Sequence, residues 1–74
     1  MSMWMQIKNP ESGKTGKDLK KYREKKGLRP IDVTVKTGVT PGYIKALEDF
    51  DKPIKQNLYE RLKGKDGFEG LKGF

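Results

Sequence analysis

Apolar residues along this chain recur at more than one period. Near the start, Met3, Met5 and Ile7 alternate with Trp4 and Gln6, the spacing of a short strand. From Thr15 onward the spacing becomes helical. Thr15 and Asp18 form a capping pair, in which the hydroxyl accepts an early N–H and the carboxylate reaches back. Leu19 and Tyr22 then share one face, lysines take the others, and Gly27 offers a left-handed stop. These signals predict a first helix over residues 15–26.

The stretch after Pro30 is ambiguous. Ile31, Val33 and Val35 alternate and are β-branched, which favours a strand. Pro30 also fits the first turn of a helix and Gly38 supplies a stop, so local pattern leans to strand without excluding helix. Next, Thr40-Pro41 reads as an N-cap followed by a proline where its missing N–H costs nothing, and Ile44 and Leu47 share a face. This predicts a helix over 41–49. Asp51-Lys52-Pro53 repeats the start signal, and Ile54, Leu58 and Leu62 recur every four residues, predicting a last helix over 53–63.

Residues 64–74 follow neither pattern. Gly64, Gly67, Gly70 and Gly73 recur every third residue, and Phe68, Leu71 and Phe74 follow three of them. Glycine at that density opposes a helix and predicts a flexible tail. The rival reading is a segment that docks on a partner or on the domain's own core. The chain thus divides into an N-terminal arm (1–14), a helical domain (15–63) and a Gly-rich tail (64–74). The arm would cover the core or pair with a second copy.

Composition narrows the chemistry. The 74 residues leave room for one small domain, and a chain of about 60 residues buries only about 60% of its unfolded surface. With no Cys and no His there is no zinc finger, thiol nucleophile, disulfide or imidazole base, and no metal site or cofactor is expected. No acid–base pair or nucleophile constellation stands out, so the chain does not read as an enzyme and no catalytic residue is assigned. No apolar run approaches a membrane span and the first residues lack a secretory pattern, so a cytoplasmic protein without membrane contact is expected.

The net charge of +7 suggests an anionic partner, most often nucleic acid. Its distribution is uneven. Residues 14–29 carry +6, whereas residues 30–50 carry −1. Lys8 to Thr15 (Lys-Asn-Pro-Glu-Ser-Gly-Lys-Thr) ends like a phosphate-binding loop, but the first glycine of that pattern is replaced by Lys8. The chain is also too short for the parallel sheet such a loop belongs to. The segment reads as a connection leading to a helix cap.

The spacing over residues 19–62 is the strongest signal. Leu19, Tyr22 and Arg23 precede Gly27-Leu28, a short element, and then Gly38-Val39-Thr40-Pro41-Gly42-Tyr43-Ile44-Lys45-Ala46-Leu47-Glu48. This resembles the helix-turn-helix family of Cro and lambda-repressor type, over about three-fifths of the chain. Gly38 matches the turn glycine, Val39 the buried turn residue, Thr40 the cap of the recognition helix, and Ile44 and Leu47 its buried face. Glu48 matches the family's acidic position and Arg23 the helix-1 arginine that commonly pairs with it. A left-handed residue at the helix corner suits glycine for steric reasons alone.

The resemblance implies an all-α fold, a small four-helix helix-turn-helix domain with a flexible Gly-rich tail, and it makes residues 30–37 a helix despite their strand-like pattern. It implies that helix 41–49 enters the major groove of double-stranded DNA, with Pro41, Gly42, Lys45 and Ala46 facing bases. Only Lys45 of that set donates strongly to guanine, while Pro41 and Ala46 suit thymine methyls. Phosphates would fall to Arg29, Thr40 and Tyr43, with Lys36, Lys52, Lys55 and Gln56 in support. Arg23 and Glu48 would form a structural ion pair.

Three positions depart from the family pattern. Arg29-Pro30 replaces a polar pair ending in Gln, Thr34 replaces a small alanine, and Gly42 sits within the recognition helix. Ile31 and Val35 are apolar on a face the family leaves polar; with Phe68, Leu71 and Phe74 they make a candidate patch for a second subunit or a protein partner. The implied function is a small DNA-binding transcriptional regulator, a repressor of phage or mobile-element type acting as a homodimer. The alternative is a protein-interaction module on the same scaffold, since Tyr43-Ile-Lys-Ala-Leu-Glu-Asp-Phe-Asp is similar to the cytoplasmic domain of a bacterial rod-shape adaptor that grips an actin-like filament.

Overall fold

A computed structural model of the chain describes residues 10–64 and 69–74. Its elements run β1 (Glu11–Thr15), α1 (Gly16–Lys25), α2 (Pro30–Thr37), α3 (Pro41–Asp49), β2 (Pro53–Lys55) and α4 (Gln56–Lys63). The fold is mostly helical, with one two-stranded antiparallel sheet. The all-α expectation is therefore corrected. The alternating residues Met3, Met5 and Ile7, and also Phe68, lie outside the described residues.

The helix starts follow their local chemistry. The Thr15 N–H donates to the Asp18 carboxylate at 2.9 Å, closing the first turn of α1. Pro30 and Pro41 occupy the opening turns of α2 and α3, where no N–H is needed. Residues 30–37 form a helix because burial follows a period of four: Val33 and Thr37 are fully buried while Ile31 and Val35 are exposed. The alternation of β-branched residues has no counterpart in what is buried.

The sheet was hidden for two reasons. β1 is almost wholly polar and is held by backbone pairing. Glu11 pairs with Lys55 and Thr15 with Pro53, so β1 advances four residues where β2 advances two, as at a bulge. The Ser12 hydroxyl donates to the Ile54 carbonyl at 2.7 Å, and the flanking bonds Gln56 N–H to Pro10 O and Gly16 N–H to Lys52 O extend the ladder. Residues 11–14 thus belong to the folded domain, although the expected boundary assigned them to an arm. Pro53, read as a helix start, instead opens β2, a position that equally tolerates the absent N–H. Ile54 is buried from this strand, and α4 begins only at Gln56.

Among the described residues, nine apolar side chains form the core: Leu19, Val33, Val39, Ile44, Leu47, Ile54, Leu62, Leu71 and Phe74. They come from α1, α2, the α2–α3 connection, α3, β2, α4 and the last residues. α1 packs directly on α3, with Gly16 against the Leu47 carbonyl. Buried Thr37 is satisfied within its own turn, donating to Val33 O at 2.7 Å and accepting the Val39 N–H at 3.1 Å.

The last described residues correct the flexible-tail expectation. Residues 69–74 fold back along α1, α2 and α4. The Gly70 N–H donates to Lys36 O at 2.8 Å and the Leu71 N–H to Leu62 O at 2.7 Å. Gly70, at φ +73°, passes so close that a Cβ would lie 2.2 Å from the Gly64 Cα. Only glycine allows that crossing. Leu71 is 1% exposed and Phe74 8%. The Phe74 ring meets Tyr22 and Tyr59, each at 5.5 Å between centroids, the hydroxyl of Tyr22 donates to Lys72 O, and that of Tyr59 to Phe74 O.

Candidate nucleic-acid interface

The segment from α2 to α3 is built from three consecutive residues with different jobs. Gly38 closes α2 in the left-handed region at φ +76°, its N–H donating to Thr34 O at 2.7 Å. Val39 is buried at the bend. Thr40 turns extended and its hydroxyl accepts the Tyr43 N–H at 3.4 Å, capping α3. Ile44 and Leu47 then sink into the core.

The opposite side of α3 is open. Pro41, Gly42, Tyr43 and Lys45 are exposed, and no atom lies within 4 Å of where a Gly42 Cβ would be. Ala46 is half-buried, so of the four expected base-facing residues it is the least available. The far end of α3 is anchored. Glu48 receives two bonds from the Arg23 guanidinium, Nε to Oε2 at 2.9 Å and Nη2 to Oε1 at 2.8 Å. Arg23 also donates to Leu28 O at 3.0 Å, so one side chain joins α1, the α1–α2 connection and α3. The pair is largely buried, with side chains 15% and 7% exposed. The hydrogen bond to Glu48 raises the Arg23 pKa above its usual value.

The expected phosphate contacts are scattered and mostly engaged. Arg29 is exposed but forks onto Asp32, Nε to Oδ2 at 3.0 Å and Nη2 to Oδ1 at 3.1 Å. The Arg29 side-chain and backbone donors pull the Asp32 pKa down to about 2. Lys36 meets Glu69 at 2.5 Å, which raises the lysine and lowers the glutamate. Lys55 lies 3.9 Å from Glu11, Lys45 lies 3.7 Å from Asp49, and the Gln56 amide donates to Glu60. Lys52 stands over the Phe50 ring at 6.0 Å.

The fold also brings to Tyr43 two residues the sequence did not single out, Asn57 and Arg61. Tyr43, Asn57, Leu58 and Arg61 line a polar cleft of about 450 Å³ between α3 and α4. Asn57 and Arg61 are four apart, so a shared helical face was readable, but nothing in the sequence placed that face beside Tyr43. The candidate partner patch shrinks. Leu71 and Phe74 are consumed by the chain's own core, leaving Ile31 (47% exposed) and Val35 (76%) on α2. Phe50, 72% exposed at the end of α3, is a further apolar surface residue.

No helix among the described residues is long and apolar enough to cross a membrane. Compared with known protein families, with curated proteins and with solved structures, the chain matches none.

Proposed function

We propose that the chain is a small DNA-binding transcriptional regulator of helix-turn-helix type, a repressor of phage or mobile-element kind, which inserts α3 into the major groove. The observation that carries this reading is the open face at the start of α3. Pro41, Gly42 and Lys45 are exposed there, while buried Ile44 and Leu47 and the Arg23–Glu48 pair fix the helix from behind. An α-helix presented in this way fits a groove about 12 Å wide. The positive end of the helix dipole at its first turn favours nearby phosphate.

Readout in this proposal is sparse. Lys45 reads guanine after releasing Asp49, and Pro41 with Ala46 supplies apolar contact to thymine methyls. Thr40, Tyr43 and Arg29 position the backbone, with Lys36, Lys52, Lys55 and Gln56 at the margins. A dimer would place two such helices about one helical turn apart on DNA.

Titration of duplexes of varied sequence at several salt concentrations tests the reading. Lys45→Ala is expected to relax sequence preference by about 1–3 kcal/mol at one base position, whereas Arg29→Ala weakens all sequences alike. Equal affinity for duplex DNA and heparin at low salt would refute it. The interaction-module reading retains one supporting observation, the exposure of Ile31 and Val35 one turn apart on α2. Its mark would be a protein complex that survives high salt and is lost in Ile31→Asp/Val35→Asp.

A further inference from the structure

The positive charge of this protein is not available where the recognition proposal would use it most. Around α2 and α3, Arg29 faces Asp32, Lys36 faces Glu69, Lys45 faces Asp49 and Lys55 faces Glu11. A phosphate arriving at any of these meets a carboxylate beside the cation, whose repulsion offsets part of the attraction. α1 is different. Lys20, Lys21 and Lys25 are exposed and make no ion pair among the described residues.

Helix geometry sets where these lysines lie. Gly16, Leu19 and Arg23 turn toward α3, as the contact at Leu47, the burial of Leu19 and the bonds to Glu48 require. At 100° per residue, Lys17, Lys21 and Lys25 then lie about 125–165° around the helix from that side, whereas Lys20 sits on the flank, about 65° from it. Lys17, Lys21 and Lys25 stand one above another at four-residue intervals, about 6 Å apart along the axis. Two acids adjoin these lysines without an ion pair to them among the described residues. Glu24 falls between Lys17 and Lys20 around the helix, and the Asp51 carboxylate accepts the Lys17 backbone N–H at 3.0 Å. Lys17, Lys21 and Lys25 thus form a ladder with a spacing suited to a line of regularly repeated anions.

We propose that the outer face of α1 is a sequence-independent surface for the phosphate backbone of nucleic acid, formed by Lys17, Lys21 and Lys25 with Lys20 at its edge. It rests on the DNA-binding reading for the class of partner, and adds a second surface on the side of α1 turned away from α3. This surface supplies most of the salt-dependent affinity, whereas the α3 face supplies the preference among sequences.

Binding to a duplex of random sequence, measured by fluorescence anisotropy between 50 and 200 mM salt, tests it. Three proteins are compared: the wild type, Lys17→Gln/Lys21→Gln/Lys25→Gln, and Arg29→Gln/Lys45→Gln. Each phosphate released lowers the slope of log K against log salt by about 0.9, so the α1 variant is expected to lose about 2.7 and the other variant less than about 1. Circular dichroism spectra matching the wild type establish that both variants fold. An unchanged slope in the α1 variant overturns the proposal, as does the absence of duplex binding by the wild type at 50 mM salt. Tighter binding to vesicles of anionic phospholipid than to the duplex would overturn the assignment to nucleic acid. Loss of sequence preference in Lys45→Ala is a separate readout. Its absence would remove the recognition role of α3 while leaving the α1 slope to be judged by itself.

Discussion

Replacing Gly16 with alanine sets two effects of opposite sign against each other. Helix propensity alone favours alanine over glycine by about 0.5–1 kcal/mol. The structure opposes the change. A Cβ at Gly16 would lie 1.7 Å from the Leu47 carbonyl oxygen, 2.3 Å from its carbon and 2.9 Å from the Glu48 nitrogen. All three are backbone atoms, so no side-chain rotation relieves the contact. Restoring a normal separation of about 3.5 Å requires α1 and α3 to part by about 1.5–2 Å, across the pair that buries Leu19, Ile44 and Leu47. Overpacking of this kind costs about 1–3 kcal/mol, and a backbone target puts it at the upper end. Net destabilisation of about 2 kcal/mol corresponds to a fall in Tm of about 8–16 °C for a domain of this size. Gly42→Ala is the control, because it also lies within a helix but meets nothing within 4 Å. It should stabilise by about 0.5–1 kcal/mol. Urea denaturation followed by circular dichroism reads both as shifts in midpoint at constant slope. A Gly16→Ala midpoint at or above that of the wild type would refute the α1–α3 packing described above.

Other consequences can be checked in the same way. Leu71→Ala should cost about 2–5 kcal/mol in urea unfolding because the side chain lies in the core; a loss below about 0.5 kcal/mol would mean the last residues are not docked. Glu48→Gln removes the counter-charge of the largely buried Arg23 and one of its two bonds to residue 48, and should cost about 2–3 kcal/mol, with Arg23→Met/Glu48→Met recovering part of that. The Asp32 carboxyl, held near pKa 2 by Arg29, should show its NMR titration midpoint there rather than at 3.8. Because the folded value is depressed, its contribution to stability is complete above about pH 4 and fades as pH falls through about 2. Arg29→Ala should move the midpoint upward, and an unmoved midpoint would contradict the forked pair.

Legibility from the sequence varied with the kind of signal each element carried. α3 was readable to its ends because Thr40, Pro41, Ile44 and Leu47 all pointed the same way. α2 was obscured by Ile31 and Val35, which imitate a strand while facing solvent; the family resemblance, and not the local pattern, favoured helix there. β1 could not be seen because Glu-Ser-Gly-Lys-Thr has no apolar periodicity, and its pairing depends on a strand some forty residues away. Pro53 misled because the same missing N–H suits a helix start and a strand start. In the last residues, glycine correctly argued against a helix, yet the close crossing of Gly64 and Gly70 also lets Leu71 and Phe74 reach the core. Arg23–Glu48 was expected only through the resemblance, whereas Lys36–Glu69 joins residues 33 apart and had no sequence signal at all.

The proposed function requires that α3 read duplex DNA. Selection of bound duplexes from a random pool, carried out in parallel with the wild type and Lys45→Ala, tests it most directly. An enriched motif is expected for the wild type, and it should lose definition at one or more base positions in the variant. A wild-type pool that stays random after repeated rounds would contradict it.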